Sequence, residues 1–274
     1  MNPFVKELRG AYAFVERNIN LIKRYWGWEI VWLIYSLVNS LAVTYIGAGM
    51  ERISGQALDT QYIITYLLVG TLIWSYLSVI FYSISEMIAW ERWEGTIEYT
   101  FMAPVSRATH LVGTTLFAII YGILRTLVIL VIVASFFHLD LAGANLLGAV
   151  LLLLAGSVSF VGLGIVAAVL PLLYPERGAQ MTNAAAAILL LISGVYYPVE
   201  TLPGWLQVVS SASPATYVIE GMRGCLLRGQ STHSLLPIVF ILIGAGTAVI
   251  VVGLFIFGRV ERYAKRTGRL KRSG

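Results

Sequence analysis

Six stretches of the chain are nearly free of charged residues, and this feature limits the fold more than any other. They run over about 30–50, 62–84, 110–137, 145–170, 179–197 and 235–257. A helix of about 20 apolar residues crosses the hydrocarbon core of a bilayer, which is about 30 Å thick. Apolar and polar residues do not alternate along these stretches, as the strands of a transmembrane barrel require. The sequence therefore predicts an all-α integral membrane protein with six transmembrane helices.

Composition supports this class. Only 12% of the residues are charged and 58% are hydrophobic, whereas a soluble domain carries roughly 25% charged residues. The one cysteine, Cys225, excludes a disulfide framework and any cysteine-rich metal site. The first 29 residues carry eight charges and lack a short apolar run followed by small residues, so we predict no cleavable signal peptide.

The basic residues are divided unevenly between the loops, and this division orients the helices. With the spans given above, fifteen of the nineteen Lys and Arg residues fall on one side of the membrane. That side holds both termini and the loops 85–109 and 171–178. Because cytoplasmic loops are the ones rich in Lys and Arg, we predict a multi-pass protein of a cell membrane, of the prokaryotic plasma-membrane kind, with both termini in the cytoplasm.

The two ends of the chain are predicted to lie at the membrane surface. Over residues 1–29 the apolar side chains recur at helical spacing and most basic ones lie off this stripe, which favours an amphipathic helix in the interface. The stripe consists of Phe4, Leu8, Tyr12, Val15, Ile19, Ile22 and Trp26. The segment 258–274 is interpreted as a basic anchor beside anionic lipid, with docking to a protein partner as the alternative. The net charge of +5 therefore needs no nucleic-acid partner.

The loop between spans two and three has two stripes if residues 86–103 form one helix. The aromatic and apolar stripe contains Trp90, Trp93, Ile97 and Phe101, and the acidic stripe contains Glu91, Glu94 and Glu98. The first stripe suits the membrane interface, and the second is predicted to face water or a partner protein. Pro104 is expected to end this helix, and Ser106 to cap the start of span three.

Two motifs carry a resemblance to a known family. The first is Glu94-Gly-Thr-Ile-Glu98 followed by Pro104 and Arg107. The second follows span five, and it consists of Ser193-Gly-Val-Tyr-Tyr-Pro198, Leu202-Pro-Gly-Trp-Leu-Gln207, Ser213-Pro-Ala-Thr-Tyr217 and Glu220-Gly-Met-Arg223. Together, and in this order, they resemble the permeases of ABC-2 type transporters. Ser213 stands where that family leads us to expect Asn, and a serine can cap a helix equally well.

The resemblance implies an exporter in which this chain pairs with separate nucleotide-binding ATPase subunits, two of each. The second permease copy would be identical or related, and ATP and Mg would bind to the ATPase, leaving no cofactor and no enzymatic activity on this chain. Residues 86–103 would be a coupling helix, with Glu91, Glu94, Gly95, Thr96, Glu98, Pro104 and Arg107 as its coupling residues. Independently of the resemblance, the chain contains no Gly-Lys dipeptide and therefore no Walker A loop.

The segment 198–234 is too long for a simple turn and too apolar for a solvated loop. Thr201 with Pro203, and Ser213 with Pro214, are typical of two helix starts, so we predict a re-entrant helical hairpin on the outer side. The resemblance implies that it closes the outer end of the transport path, and a lid without gating is the alternative. The candidate gate residues are Tyr197, Pro198, Pro203, Trp205, Pro214, Glu220 and Arg223. The predicted architecture is thus one domain over 1–274, with spans one and two in 30–84, spans three to five in 110–197 and span six in 235–257.

Arg125 is the one basic residue predicted to lie within a span. An arginine at the centre of a bilayer costs about 2.5–3.5 kcal/mol on insertion scales, so it should face the protein interior. Its predicted partners are Glu200 or Glu220, backbone carbonyls, or an anionic group of the substrate. It would then serve either as a gate or substrate contact or as a structural residue.

Two other function classes remain alternatives. An ion-coupled secondary transporter usually has internal repeats and carboxylates within its spans, and no Asp or Glu lies well inside a predicted span. An intramembrane enzyme would need a metal or nucleophile site, but His110, His138 and His233 are scattered along the chain. The substrate stays open between drugs, lipids and lipid-linked glycans.

Overall fold

The computed structural model describes residues 3–103, 105–137 and 143–267, and every regular element in these ranges is helical. The helices are α1 (Pro3–Arg24), α2 (Trp26–Ser54), α3 (Thr60–Ser85), α4 (Met87–Glu94), α5 (Ile97–Met102), α6 (Arg107–Phe136), α7 (Leu146–Ala167), α8 (Val169–Leu173), α9 (Gly178–Ile192), α10 (Gly204–Ser210), α11 (Pro214–Leu227) and α12 (Thr232–Arg266). A 3₁₀ turn, Val199–Thr201, precedes α10. The all-α class predicted from the sequence is confirmed.

Five helical stretches in the described ranges are long and apolar enough to cross a membrane. They are α2, α3, α6, the pair α7–α8 (Leu146–Leu173) and α12. The predicted span 179–197 corresponds to α9, which has 15 residues and ends at Ile192. At 1.5 Å per residue α9 is about 22 Å long, which is less than the thickness of the hydrocarbon core. The chain is therefore a multi-pass membrane protein, and its described ranges contain five full-length candidate spans and one shorter apolar helix.

Polar side chains fix where the spans begin. One side chain at the start of each of α3, α6, α7 and α12 accepts a hydrogen bond from a backbone N–H of the first turn, where such groups have no partner within the helix. These side chains are Asp59, Ser106, Asn145 and Ser231. Ser106 therefore caps span three as predicted. Ser213 does not cap α11 with its side chain, contrary to expectation, and its hydroxyl lies 3.2 Å from the hydroxyl of Ser193.

The helices α3 and α7 form the centre of the fold. In the 18-residue apolar stretch of α3, 67% of the residues are buried, whereas the corresponding figure for α6 and for α12 is 22%. The hydroxyls of Tyr76 on α3 and Ser157 on α7 are 2.7 Å apart in this core. On its other side α7 approaches α12 so closely that a Cβ added to Gly246 would lie 2.7 Å from the backbone nitrogen of Ser159. Small residues permit this close approach between spans.

The N-terminal helix α1 packs against the first half of α6. A Cβ added to Gly113 would lie 2.6 Å from both the Ala11 carbonyl oxygen and the Phe14 Cβ, so the two backbones are in close contact there. The apolar side chains of Leu8 and Tyr12 point away from the protein and are exposed. This arrangement suits an interfacial helix whose stripe faces lipid. The helix ends at Arg24, and α2 begins two residues later, earlier than the predicted start at residue 30.

Candidate functional site

The loop between α3 and α6 folds as two helices, not as the single helix predicted over 86–103. We call residues 86–103 the elbow. Gly95 has φ of 72°, in the left-handed region that glycine adopts at little cost, and its N–H bonds back to α4. The backbone N–H of Thr96 donates to the Glu91 carbonyl at 2.9 Å, which completes a helix-terminating turn. Gly95 and Thr96 therefore separate α4 from α5 and divide the predicted stripes. Pro104 lies outside the described residues.

Glu91 lies inside the protein, whereas the acidic stripe was predicted to face water or a partner protein. It is 2% exposed, and its Oε1 lies 2.8 Å from Arg17 Nη1 on α1 and 3.1 Å from His110 Nε2 on α6. The ring of Phe14 on α1 stacks on His110 with centroids 4.3 Å apart. Burial alone raises the pKa of the Glu91 carboxyl, but His110 and Arg17 outweigh it and hold this pKa below its ordinary value. A charged cluster therefore joins α1, α4 and α6.

The next residue, Arg92, joins α4 to a different part of the fold. Its guanidinium donates to the carbonyl oxygens of Pro171 and Leu172 in the last turn of α8. The last carbonyls of a helix have no partner within it and carry partial negative charge, so they suit a buried cation. Burial lowers the pKa of Arg92 below its ordinary value. Sequence reasoning did not find this residue, because one arginine in a loop looks like any other cytoplasmic basic residue.

The remaining elbow residues form a more exposed surface. Glu94 approaches Arg24 at 3.7 Å, but Arg24 is 69% exposed, so this pair contributes little to stability. On α5 the side chains of Glu98, Tyr99 and Met102 are exposed. We call these three residues the α5 surface. Of the predicted aromatic stripe, Trp90 and Trp93 are exposed, Ile97 is buried, and the Phe101 side chain lies outside the described residues.

Arg107 connects the end of the elbow to the last helix. Its Nε lies 3.2 Å from Glu261 Oε1, and its Nη1 donates to the Thr100 carbonyl at 3.0 Å. Lys265 lies 2.8 Å from the same carboxylate oxygen of Glu261. The predicted basic tail thus begins with an ordered, partly inward-facing turn of α12. Glu261 was missed because it stands among basic residues, four positions before Lys265, and an i,i+4 pair is also typical of a solvated helix. Residues 268–274 lie outside the described part of the chain.

The 3₁₀ turn, α10 and α11 form what we call the outer segment, after the side of the membrane on which it is predicted to lie. Pro203 immediately precedes α10 and Pro214 is the first residue of α11, so both prolines stand at helix starts as predicted. The two helices differ in burial: Trp205 on α10 is 70% exposed, whereas α11 packs between α3 and α7. Cys225 on α11 is completely buried.

Arg223 holds α11 in place from inside the protein. It is 2% exposed and donates to the carbonyl oxygens of Gly194 at 2.8 Å and Val195 at 2.7 Å. Its guanidinium carbon lies 3.4 Å from the centroid of the Tyr66 ring, a cation–π contact. A Cβ added to Gly70 would lie 2.7 Å from Arg223 Nη2, so the absence of a side chain at this position of α3 leaves space for the guanidinium.

The other candidate gate residues have ordinary local contacts. The Tyr197 hydroxyl donates to the Leu191 carbonyl. Glu220 accepts a hydrogen bond of 2.6 Å from Arg228, with both side chains partly exposed. Of the seven candidates, the structure thus places Arg223 deepest in the protein.

Arg125 forms hydrogen bonds to α2. Of the partners predicted for it, the structure shows a backbone carbonyl. Its Nη2 donates to the Trp32 carbonyl oxygen at 2.8 Å and to Ser36 Oγ at 2.6 Å. On its own helix it lies within 3.5 Å of the Tyr121 hydroxyl, which donates to Glu29. Sequence reasoning missed Glu29 because the predicted span began one residue after it.

The helix α2 begins with tryptophans close to the residues that Arg125 contacts. Trp26, Trp28 and Trp32 are all exposed at the start of α2, as in the aromatic belt of a membrane interface. Trp32 is six residues from the first of these, or about 9 Å along the helix. The carbonyl oxygen that accepts from Arg125 therefore lies about 9 Å along α2 from Trp26. The depth of Arg125 in the membrane stays a prediction.

Comparison with known proteins gives one family match. A family model described as ABC-2 type transporter matches residues 10–227, from within α1 to the last residue of α11. The matched range contains the elbow, Arg125 and the outer segment. No curated protein matches the chain. Because the match spans well over half of the 274 residues, the chain belongs to the ABC-2 type transporter family.

Proposed function

We propose that the chain is the membrane-spanning permease subunit of an ABC exporter, which moves an amphipathic substrate outward with ATP hydrolysed by a separate subunit. A second permease copy and two nucleotide-binding ATPase subunits, which hold the ATP and Mg, complete the transporter. Both termini and the elbow lie in the cytoplasm of a prokaryotic cell. Membership of the family supports this proposal, as does the absence of a Gly-Lys dipeptide, which leaves the chain without a Walker A loop.

The observation that carries the coupling role is the contrast between the two helices of the elbow. On α4 the adjacent residues Glu91 and Arg92 point into the protein and bond to α1, α6 and α8. On α5 Tyr99 and Met102 are each more than 70% exposed, although both are large and apolar or aromatic. An exposed apolar group on a cytoplasmic loop is typical of a protein interface, and aromatic residues and Met are enriched at such interfaces. The α5 surface is therefore the docking site for the ATPase.

The same contrast supports a route for movement through the permease. A force applied to α5 passes through the turn at Gly95 to α4, which is bonded on two sides. Glu91 passes it to α1 and α6, and Arg92 passes it to α8, which follows α7 in the chain. The outer hairpin, clamped by Arg223, would close the outer end of the path. The coupling role thus moves from the predicted acidic stripe to the exposed part of α5.

The experiment is recovery of the ATPase with a tagged permease from native membranes in mild detergent. Tyr99→Asp puts an uncompensated charge into the proposed interface, so ATPase activity per permease should fall about tenfold or more, equal to about 1.4 kcal/mol of binding free energy. Tyr174→Asp is the matched control, because Tyr174 is also an exposed tyrosine (48%) and lies in the other loop predicted to be cytoplasmic. Equal recovery with Tyr99→Asp and wild type would reject the α5 surface as the docking site.

A further inference from the structure

A concave groove lies between the outer ends of α2 and α3. Its volume is about 550 Å³. Val43, Ile46 and Met50 of α2 form one wall, and Tyr62 and Tyr66 of α3 form the other. Tyr196, which follows α9, also lines the groove, and the polar side-chain groups of the lining are the tyrosine hydroxyls.

The position of the groove along α2 sets its depth in the membrane. The last residue of α2 is Ser54, which is four residues beyond Met50 and eleven beyond Val43. At 1.5 Å per residue, the groove lies about 6–16 Å below the end of the helix. The groove residues Val43, Ile46 and Met50 thus lie in the half of α2 nearest the α2–α3 turn, which the predicted orientation places in the outer leaflet. The groove therefore opens toward the acyl chains of the outer leaflet.

Contacts outside the groove hold Tyr66, one of its wall residues, in place. Tyr66 rests on the guanidinium of Arg223, which is itself bonded to the carbonyl oxygens of Gly194 and Val195. Tyr196 is the next residue in the chain after Val195, and its side chain is half-buried. The groove is therefore a preformed cavity, as binding sites for small molecules usually are, and does not depend on mobile side chains.

The turn above the groove carries charges of both signs. Glu51 and Arg52 lie in the last turn of α2, and Asp59 caps α3. All three are exposed. A zwitterionic headgroup placed here would find an opposite charge for its phosphate and for its amine, whereas a purely anionic headgroup would face two carboxylates.

We propose that the groove binds a zwitterionic phospholipid of the outer leaflet, with its acyl chains between α2 and α3 and its headgroup at the α2–α3 turn. The volume lies in the range of about 300–1,000 Å³ that is typical of ligand sites, and the apolar walls match acyl chains. Binding of the phospholipid to the groove does not require ATP. If the exporter function above holds, the groove favours a phospholipid-like substrate over a polar one.

The test uses the full chain, without the ATPase, in nanodiscs of phosphatidylcholine that contain a small fraction of phosphatidylcholine with a diazirine in one acyl chain. After illumination, mass spectrometry measures the label on peptides that contain Met50 or Tyr62. Ile46→Trp fills the mouth of the groove and should lower this label several-fold. Ile34→Trp is the matched control: it lies on the same helix with similar exposure, 53% against 58% for Ile46, but outside the groove. The control should label like wild type.

Three results would overturn the proposal. The first is equal labelling of the Ile46→Trp and Ile34→Trp proteins, since it would mean that the label comes from bulk lipid. The second is equal or stronger labelling by a diazirine probe with a phosphatidylglycerol headgroup. The third is an unlabelled groove together with a disulfide between two copies of an Ile46→Cys variant, which would show that a second copy fills the groove. Because neither ATP nor the ATPase is present, these results are separate from the docking test at Tyr99.

Discussion

Replacing Glu91 by Gln tests whether the charged cluster holds the elbow to the rest of the permease. The change keeps the size of the side chain but leaves Arg17 without its carboxylate partner at 2.8 Å. Two unit charges at this distance attract by about 6 kcal/mol at an effective dielectric constant of about 20. The cost of burying both charges offsets much of this attraction, and Arg17 is 30% exposed and can regain water. We therefore expect a loss of about 2–3 kcal/mol in the free energy of unfolding.

The assay is thermal unfolding of the purified chain in detergent. At about 2–4 °C per kcal/mol for chains near this size, Glu91→Gln should lower the midpoint by about 4–12 °C. The control is Glu98→Gln, the same chemical change on the exposed part of the elbow, and it should stay within about 0.5 kcal/mol of wild type. Combining Glu91→Gln with Arg17→Met should cost less than the sum of the two single changes, because both remove one interaction. Equal midpoints for Glu91→Gln and Glu98→Gln would refute the reasoning.

The same pair predicts how stability depends on pH. The folded protein holds the pKa of Glu91 below its ordinary value of 4.5, so the ionised carboxylate stabilises the fold above this pH. This contribution is lost as the pH falls from 4.5 through the lower folded pKa, where the carboxylate gains a proton. Over that window the wild-type midpoint should therefore fall more steeply than that of Glu91→Gln. Parallel pH profiles for the two proteins would contradict the assignment.

Two further predictions concern the contacts of Arg223 and the orientation of the chain in the membrane. Gly70→Ala should lower the unfolding midpoint, because its Cβ would overlap the Val195 carbonyl oxygen, to which Arg223 donates. Gly49→Ala should leave the midpoint unchanged, because its Cβ would lie 3.9 Å from Ile53 Cδ1. Equal midpoints for the two variants would contradict the close packing at Arg223. A cysteine at Gln56, in the exposed turn after α2, should react with an impermeant thiol reagent in intact cells. A cysteine at Arg262 should react only after the membrane is opened. The reverse pattern would overturn the predicted orientation.

The sequence predicts the spans well because crossing a membrane depends on local composition. Each predicted span overlaps an observed apolar helix, and the helix of span three begins beside the Ser106 cap as expected. The least accurate of the six predicted spans is 179–197, because α9 ends at Ile192. There the Ser-Gly-Val-Tyr-Tyr run is apolar enough to extend the hydropathy signal, although Gly194 has φ of 66° and the chain turns.

The charge pairs could not be predicted in the same way, because they join residues that are far apart in the chain. Arg17 and Glu91 are separated by 74 positions, and a stripe of glutamates on one helix looks solvated until its partner helix is known. One signal was available: Arg17 lies off the apolar stripe of α1, on the face that turns toward the protein. The contact of Arg125 with Tyr121 and Glu29 was missed for a local reason, since the predicted start of span one excluded Glu29.

The most direct test of the central claim is site-specific photocross-linking from the α5 surface in native membranes. A benzophenone amino acid would replace Tyr99, and in a second protein it would replace Trp205, which is similarly exposed on the outer helix α10. Mass spectrometry then identifies the adducts. We expect an adduct between position 99 and a subunit that carries a Walker A loop, and none from position 205. The absence of that adduct from position 99, or its equal formation from position 205, would contradict the coupling role of the elbow.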